Sequence, residues 1–239
     1  MVEPAVWRST SGKPEPTQAD RFVTELLRDP HLKERMEEKE KRRQQRVQEN
    51  LRAVKPLADE LNALGFQVVT VSDLFNHHYD YRAAIPLLLD WLPGMENDDV
   101  RESVVRALSV KWARPVAAPL LIEQFQREKP GGVRWAVGNA LAVVTDQRHL
   151  DDILALTAVK EYGDDRAMLL IALSRIGKGD PRVIPAVESA LEYRGMAGTA
   201  IRALGVLRAK QAARLISSFL EDNDPWFRNE ARKALTKIG

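Results

Sequence analysis

The sequence of 239 residues contains no cysteine, and aromatic residues make up only 6% of it. Without cysteine the chain can form neither a disulfide framework nor a thiolate metal site, and we expect a reducing compartment. No apolar run approaches the ~18 residues that a membrane-spanning helix needs, and the first residues hold no apolar core of signal-peptide length. These absences predict a soluble cytoplasmic protein that does not enter a membrane.

The chain also lacks an excess of charge of either sign. The 36 lysines and arginines nearly balance the 34 acidic residues, which gives a formal net charge of +2. Proteins that bind nucleic acid usually concentrate a basic excess, so any basic surface here must be local. No glycine-rich phosphate loop, nucleophile elbow, HExxH motif or catalytic carboxylate pair is present. His77, His78 and Asp80 resemble metal ligands in type, but adjacent side chains on a helix diverge by about 100°. The sequence therefore predicts no catalytic residue, no metal and no cofactor.

Five copies of one short pattern dominate what is present. Each copy is a helical run that closes on the dipeptide Ala-Leu, and successive copies are 33, 32, 31 and 31 residues apart. A fixed period in this range is typical of solenoids, whose units are too small to bury an apolar face alone and must stack on their neighbours. The pattern predicts an all-α, right-handed α-solenoid of about five helix pairs. The five dipeptides are Ala107-Leu108, Ala140-Leu141, Ala172-Leu173, Ala203-Leu204 and Ala234-Leu235.

The rest of the chain is predicted from composition. The start is rich in Pro, Ser, Thr and Gly, which cannot bury enough surface to offset ordering entropy. Between Met36 and Val47 there is no apolar residue, so no face of that helix can pack into a core, and we expect it to project into solvent. The predicted organisation is a flexible tail at 1–17, a charged helical arm at 18–46, an irregular capping helix pair at 47–80 and the repeats at 81–239.

Counting backwards from the leucine of each Ala-Leu assigns the faces of the second helix in each pair. The leucine and the positions one, four and eight before it lie within one ~100° arc, which predicts the core. Seven before it, at the edge of that arc, four of the five copies carry arginine, and the fourth copy has Ala197. We expect these arginines to form a structural ladder by pairing with acidic turn residues such as Asp98, Asp99 and Asp164. The ladder residues are Arg101, Arg134, Arg166 and Arg228.

The opposite face of the second helices is predicted to line the concave side of the solenoid. Trp135 lies there beside an arginine, and Trp and Arg dominate the hot spots of protein interfaces. The alternative is that Trp135 only covers a neighbouring helix. The residues immediately after each leucine are all small, which suits tight curvature. The predicted protein-binding residues are Arg106, Trp135, Asn139, Ile171, Arg202 and Lys233.

The repeats resemble a known family. An Asp-containing turn, then Val-Arg, then Ala-Leu seven residues later is similar to the short HEAT-like repeats of the phycobilisome-lyase type. Copies one and two, DDVRESVVRAL and GGVRWAVGNAL, match this pattern, whereas copy three has Asp for Val, copy four lacks the arginine, and copy five has Phe for Val. The stretch from GFQVVTVSDLFN to VRESVVRAL is also similar to bacterial HEAT-like proteins. The resemblance implies stacked helix pairs and leaves the activity open, because such repeats occur in scaffolds, adaptors, bilin lyases and DNA glycosylases.

Three functions are compatible with these residues. The first is a non-enzymatic scaffold or adaptor that binds a protein partner, of unknown identity, through the concave face. The second is nucleic-acid binding or DNA repair through a basic concave groove that contains Arg106, Arg202, Arg228 and Lys233. The third is a lyase-type enzyme acting on a small molecule. We favour the first, in a chain that is monomeric or weakly oligomeric.

Overall fold

The computed structural model describes Thr17, Gln18 and residues 30–129 and 131–239. Throughout these residues the secondary structure is helical, with no strand, so the prediction of an all-α protein is confirmed. None of the described helices has the length and apolar character that crossing a membrane requires. The predicted tail at 1–17 and the beginning of the predicted arm lie outside the described residues, apart from Thr17 and Gln18.

The described residues contain twelve α-helices, several of which begin or end in a 3-10 turn. They are α1 (Pro30–Ala63), α2 (Asp73–Asn76), α3 (Ile85–Trp91), α4 (Asp98–Leu108), α5 (Arg114–Arg127), α6 (Gly132–Val144), α7 (Leu150–Ala158), α8 (Ala167–Ile176), α9 (Val183–Glu188), α10 (Arg194–Leu207), α11 (Ala213–Ser217) and α12 (Pro225–Ile238).

The chain divides into two units, Met1–Glu49 and Asn50–Gly239. In the first unit, none of the helical residues 31–49 is buried, as expected for a stretch without an apolar face. Its side chains pair along the helix instead, for example Glu38 with Arg42. In the second unit, α1 continues through Pro56 to Ala63, and its apolar residues Leu57 and Leu61 are fully buried.

The second unit is built from five helix pairs, each made of a first and a second helix. The first helices α3, α5, α7, α9 and α11 pack against the second helices α4, α6, α8, α10 and α12, respectively, and each second helix also contacts the next second helix along the chain. The alanine of every Ala-Leu is buried, and so is the residue four before every leucine. The periodicity therefore predicted the core side of the second helices.

Among the small residues that follow each leucine, Thr236 is exposed and Ser109 is half-buried, but Ala142, Ser174 and Gly205 are buried. The reason is the close approach of the second helices. A Cβ atom added at Gly205 would lie 2.8 Å from the Cα atom of Ala234 on the neighbouring helix, closer than packed carbon atoms come. Small side chains at this position allow helix to pack on helix.

Candidate protein-binding groove

A groove of 400 Å³ brings three of the six predicted binding residues together. Arg106 comes from α4, and Trp135 and Asn139 come from α6. They meet because the positions two and six before the leucine lie on one side of a helix. We call this the tryptophan groove. Its lining residues are Phe75, Tyr81, Arg106, Ser109, Val110, Trp135, Ala136 and Asn139.

Trp135 is the largest exposed apolar surface of the groove. Its side chain is 48% exposed, although the residue lies in the first half of a helix that is otherwise largely buried. One turn later, the side-chain amide of Asn139 donates a hydrogen bond to the carbonyl oxygen of Trp135, at 3.0 Å. An amide carries two N–H donors and one acceptor, so Asn139 keeps polar capacity toward a partner.

Among the described residues, Arg106 supplies the only charge in the lining of the groove. Its Nε atom donates to the Glu102 carboxylate at 2.9 Å, and its Nη2 atom lies 2.7 Å from the same oxygen. Both residues lie on α4, one turn apart. The carboxylate holds the guanidinium in place and offsets part of its charge, while more than half of the Arg106 side chain remains exposed.

Tyr81 forms a buried part of the groove lining. This residue is 2% exposed, and its hydroxyl donates to the carbonyl oxygen of Ala107 at 3.0 Å. Burial raises the pKa of the Tyr81 phenol, so it remains a neutral donor. Its ring also meets the edge of Trp112, with 5.6 Å between centroids. The count from each Ala-Leu did not assign Tyr81 or Phe75 to the site, because it covers the second helices and neither residue lies on one.

The other three predicted residues do not line the tryptophan groove. Ile171 on α8 is half-buried, and Arg202 on α10 is exposed. Lys233 on α12 forms an ion pair with Glu230, at 2.8 Å. The predicted residues of the first two repeats therefore line this groove, and those of the last three repeats lie outside it.

The four predicted ladder arginines share one arrangement. Each donates to a backbone carbonyl near the end of the first helix of its own repeat or in the turn that follows. Such carbonyls have no partner within the helix, so the guanidinium groups satisfy them. The bonds run from Arg101 to Met95 (2.8 Å), from Arg134 to Phe125 (3.1 Å), from Arg166 to Thr157 (2.9 Å) and from Arg228 to Asn223 (2.9 Å).

The expected pairing of the ladder with acidic turn residues is present only in part. Arg101 contacts Asp98 at 2.6 Å and also Glu128 of the next repeat at 3.0 Å. Arg134 lies 3.9 Å from Asp165. Asp164, which we expected in the ladder, lies against Gly195 instead, where an added Cβ atom would meet its carboxylate at 2.0 Å.

The fourth repeat has no ladder arginine, and an arginine at another position makes a different contact there. Ala197 stands at the ladder position, and Arg194, one turn earlier, reaches the Asp222 carboxylate of the last repeat with bonds of 2.5 and 2.8 Å. Its guanidinium also lies 4.0 Å from the centroid of the Phe227 ring. The bonds from Arg194, together with a backbone N–H from Asp224, lower the pKa of Asp222 to about 2.

Metal chemistry receives no support in the part of the chain that the structure describes. There, no group of three histidine or acidic side chains is placed to hold a metal ion. His77, one of the two histidines that resemble metal ligands in type, contacts the ring of Tyr79, with 5.9 Å between centroids.

A comparison of this chain with known protein families, curated proteins and solved structures gives no match. The resemblance to HEAT-like repeats therefore stays a prediction from the residues, and the function has to be inferred from the site.

Proposed function

We propose that this protein is a non-enzymatic scaffold or adaptor that binds a protein partner on the concave face of a right-handed solenoid of HEAT-like helix pairs. The observation that carries the proposal is the half-exposed Trp135 in the tryptophan groove, beside Arg106. Aromatic and arginine side chains in a recess are the usual anchors of protein interfaces.

The solenoid part of the proposal is supported by the order of the helix contacts. Consecutive second helices pack against each other along the chain, and each first helix packs on its own second helix. A chain whose repeats contact their neighbours in sequence order is typical of α-solenoids, which use their inner surface for binding.

The lining of the tryptophan groove favours a protein over a small-molecule substrate. Apart from Arg106, its polar groups are hydroxyl and amide groups, and the phenol of Tyr81 is occupied by the Ala107 carbonyl. A lyase needs an acid and a base that converge on the substrate. The groove offers no such pair, so an enzyme is less well supported.

A basic groove for nucleic acid is also less well supported. Carboxylates on their own helices bind Arg106 and Lys233, and Arg228 donates to backbone carbonyls. Within the described residues, only Arg202 of the four predicted cations is without such a partner. Phosphate binding draws its free energy from cations that can replace counterions, and three of these four are already engaged.

The proposal is tested by affinity purification from the native cell with the full chain and with the double variant Trp135→Ala, Arg106→Glu. The matched control is Trp226→Ala, Arg127→Glu, because Trp226 is also 48% exposed and Arg127 pairs with Glu123 as Arg106 pairs with Glu102. Each candidate partner is then purified and titrated against the three proteins.

The expected result is a protein that binds the natural chain and the control directly and loses at least ~10-fold in affinity for the groove variant, as truncation of a hot spot does. A partner that binds all three chains equally would contradict the assignment of the site. Recovery of DNA or RNA that dissociates as salt is raised would replace the proposal with the nucleic-acid function.

A further inference from the structure

A second groove, of 640 Å³, lies between α1 and α3. It shares no residue with the tryptophan groove, and all of its residues belong to the unit that begins at Asn50. We call it the acidic groove. Its lining residues are Glu60, Ala63, Leu64, Ala83, Pro86, Leu87 and Asp90.

The floor of the acidic groove is apolar and open to solvent. Leu64 is 50% exposed, whereas Leu61 and Leu57, one and two turns earlier, are fully buried. From α3, Pro86 is exposed and Leu87 is half-buried. The exposed leucine therefore adds little to the core. The volume of the acidic groove, 640 Å³, falls within the range of roughly 300–1,000 Å³ that is usual for a ligand-binding pocket.

The charges of this groove are of one sign. Glu60 comes from α1 and Asp90 from α3, and none of the described lysines or arginines lines the groove. Neither carboxylate has an ion pair or a side-chain hydrogen bond with any residue that the structure describes. This differs from the acidic residues around the second helices, such as Asp98 and Glu102, which pair with arginines.

We propose that the acidic groove binds a basic amphipathic helix of a partner protein. A recess between two helices fits a helix that inserts apolar side chains at i, i+3 and i+4. Lysines or arginines that flank those side chains would reach Glu60 on one wall and Asp90 on the other. This inference does not depend on the proposed function, because the two grooves are separate.

Two basic helices that the structure describes do not offer a suitable occupant from a second copy. The basic stretch of α1 has no apolar residue between Met36 and Val47, so it lacks the anchors that the floor requires. The last helix, α12, carries Arg232, Lys233 and Lys237, but Phe227 and Ile238 are buried in its own repeat, and Trp226 is its one exposed large apolar side chain. Neither of these described helices therefore supplies the occupant.

The test uses the full chain and a fluorescein-labelled helical peptide of leucine and lysine, with leucine at i, i+3, i+4 and i+7. A second peptide carries glutamate in place of lysine. Binding is measured by fluorescence anisotropy at low and high salt. We expect the lysine peptide to bind, the glutamate peptide not to bind, and the affinity to fall with salt because the charges at the rim are exposed.

Three variants locate the binding. Glu60→Lys, Asp90→Lys is expected to lose at least ~10-fold in affinity, and Leu64→Asn about 5-fold. The control, Asp152→Lys, Glu161→Lys, changes the net charge equally at two exposed acidic residues outside the groove and is expected to bind as the natural chain does. We expect each variant to fold, since none of these side chains is buried. Circular dichroism checks this expectation.

Equal weakening in the control and in the groove variant would overturn the proposal, because the binding would then follow net charge alone. Absence of binding by the lysine peptide would overturn it as well. The double variant of the tryptophan groove is expected to bind this peptide unchanged, so failure of one proposal does not imply failure of the other.

Discussion

Arg134 and Trp135 are adjacent on α6 and have opposite surroundings. Arg134 is 6% exposed and donates to the carbonyls of Phe125 and Glu128, whereas Trp135 is 48% exposed in the tryptophan groove. On α4, Arg101 and Arg106 differ in the same way, with 20% and 58% of their side chains exposed. Successive positions on a helix point about 100° apart, so one helix can hold its repeat together on one side and present side chains to a partner on another.

Residue type alone therefore does not indicate whether an arginine of a second helix is structural or available for binding. Arginines at the ladder position bind carbonyls of their own repeat, and a similar arginine five residues later lies at the rim of the groove. Changes on the ladder side should therefore lower stability, and changes on the groove side should lower binding.

The largest effect is expected for Arg134→Leu. This change leaves two helix-end carbonyls without their donor and removes the guanidinium that lies 4.7 Å from the Tyr162 ring centroid. We expect the free energy of unfolding to fall by about 3 kcal/mol, because groups that lose a buried partner keep their desolvation cost. Urea denaturation measures it, and a loss below about 1 kcal/mol would show that the ladder is not structural.

A second effect, of about 2 kcal/mol, is expected for Gly205→Ala. The added methyl group would meet the backbone of Ala234, so α10 and α12 would have to separate. The control is Gly132→Ala, where an added Cβ atom meets nothing within 4 Å and the helix gains alanine. In thermal unfolding we expect Gly205→Ala to lower the melting temperature and Gly132→Ala to raise it or leave it unchanged. An equal loss of melting temperature in both variants would refute the close approach of α10 and α12.

For Trp135→Ala we expect a loss of stability of only about 1 kcal/mol or less, because about half of the side chain is already in water. The same urea titration serves as the measurement. If Trp135→Ala cost as much as Arg134→Leu, then Trp135 would be a packing residue and the division between the two sides of α6 would be wrong.

The smallest expected effect is on the stability of the protein at low pH. The pKa of Asp222 falls from 3.8 to about 2, first through its bonds from Arg194, so the ionised form is favoured in the folded state. The stabilisation is therefore complete above about pH 4 and is lost as the pH falls toward 2. We expect Asp222→Asn to flatten the dependence of the unfolding free energy on pH in this window. An unchanged slope would mean that this ion pair, which stands where the fourth repeat has no ladder arginine, adds no stability.

Periodicity predicted much of the second unit. The residues four before each leucine are all buried, and Arg106, Trp135 and Asn139 line one groove because their spacing places them on the same side of adjacent helices. The partners of the ladder could not be predicted in the same way, since every residue carries a carbonyl and the sequence does not mark those that lack a donor. Tyr81 and Phe75 were missed because the count from each Ala-Leu covers the second helices only, and neither residue lies on one.

The ladder also bears on how such a chain can change in length. Each ladder arginine bonds to carbonyls within its own repeat, at a separation of nine residues or fewer along the chain. A duplicated or deleted repeat would therefore bring or remove both donor and acceptor together. The gain or loss of one whole repeat would therefore leave no ladder arginine without its carbonyl.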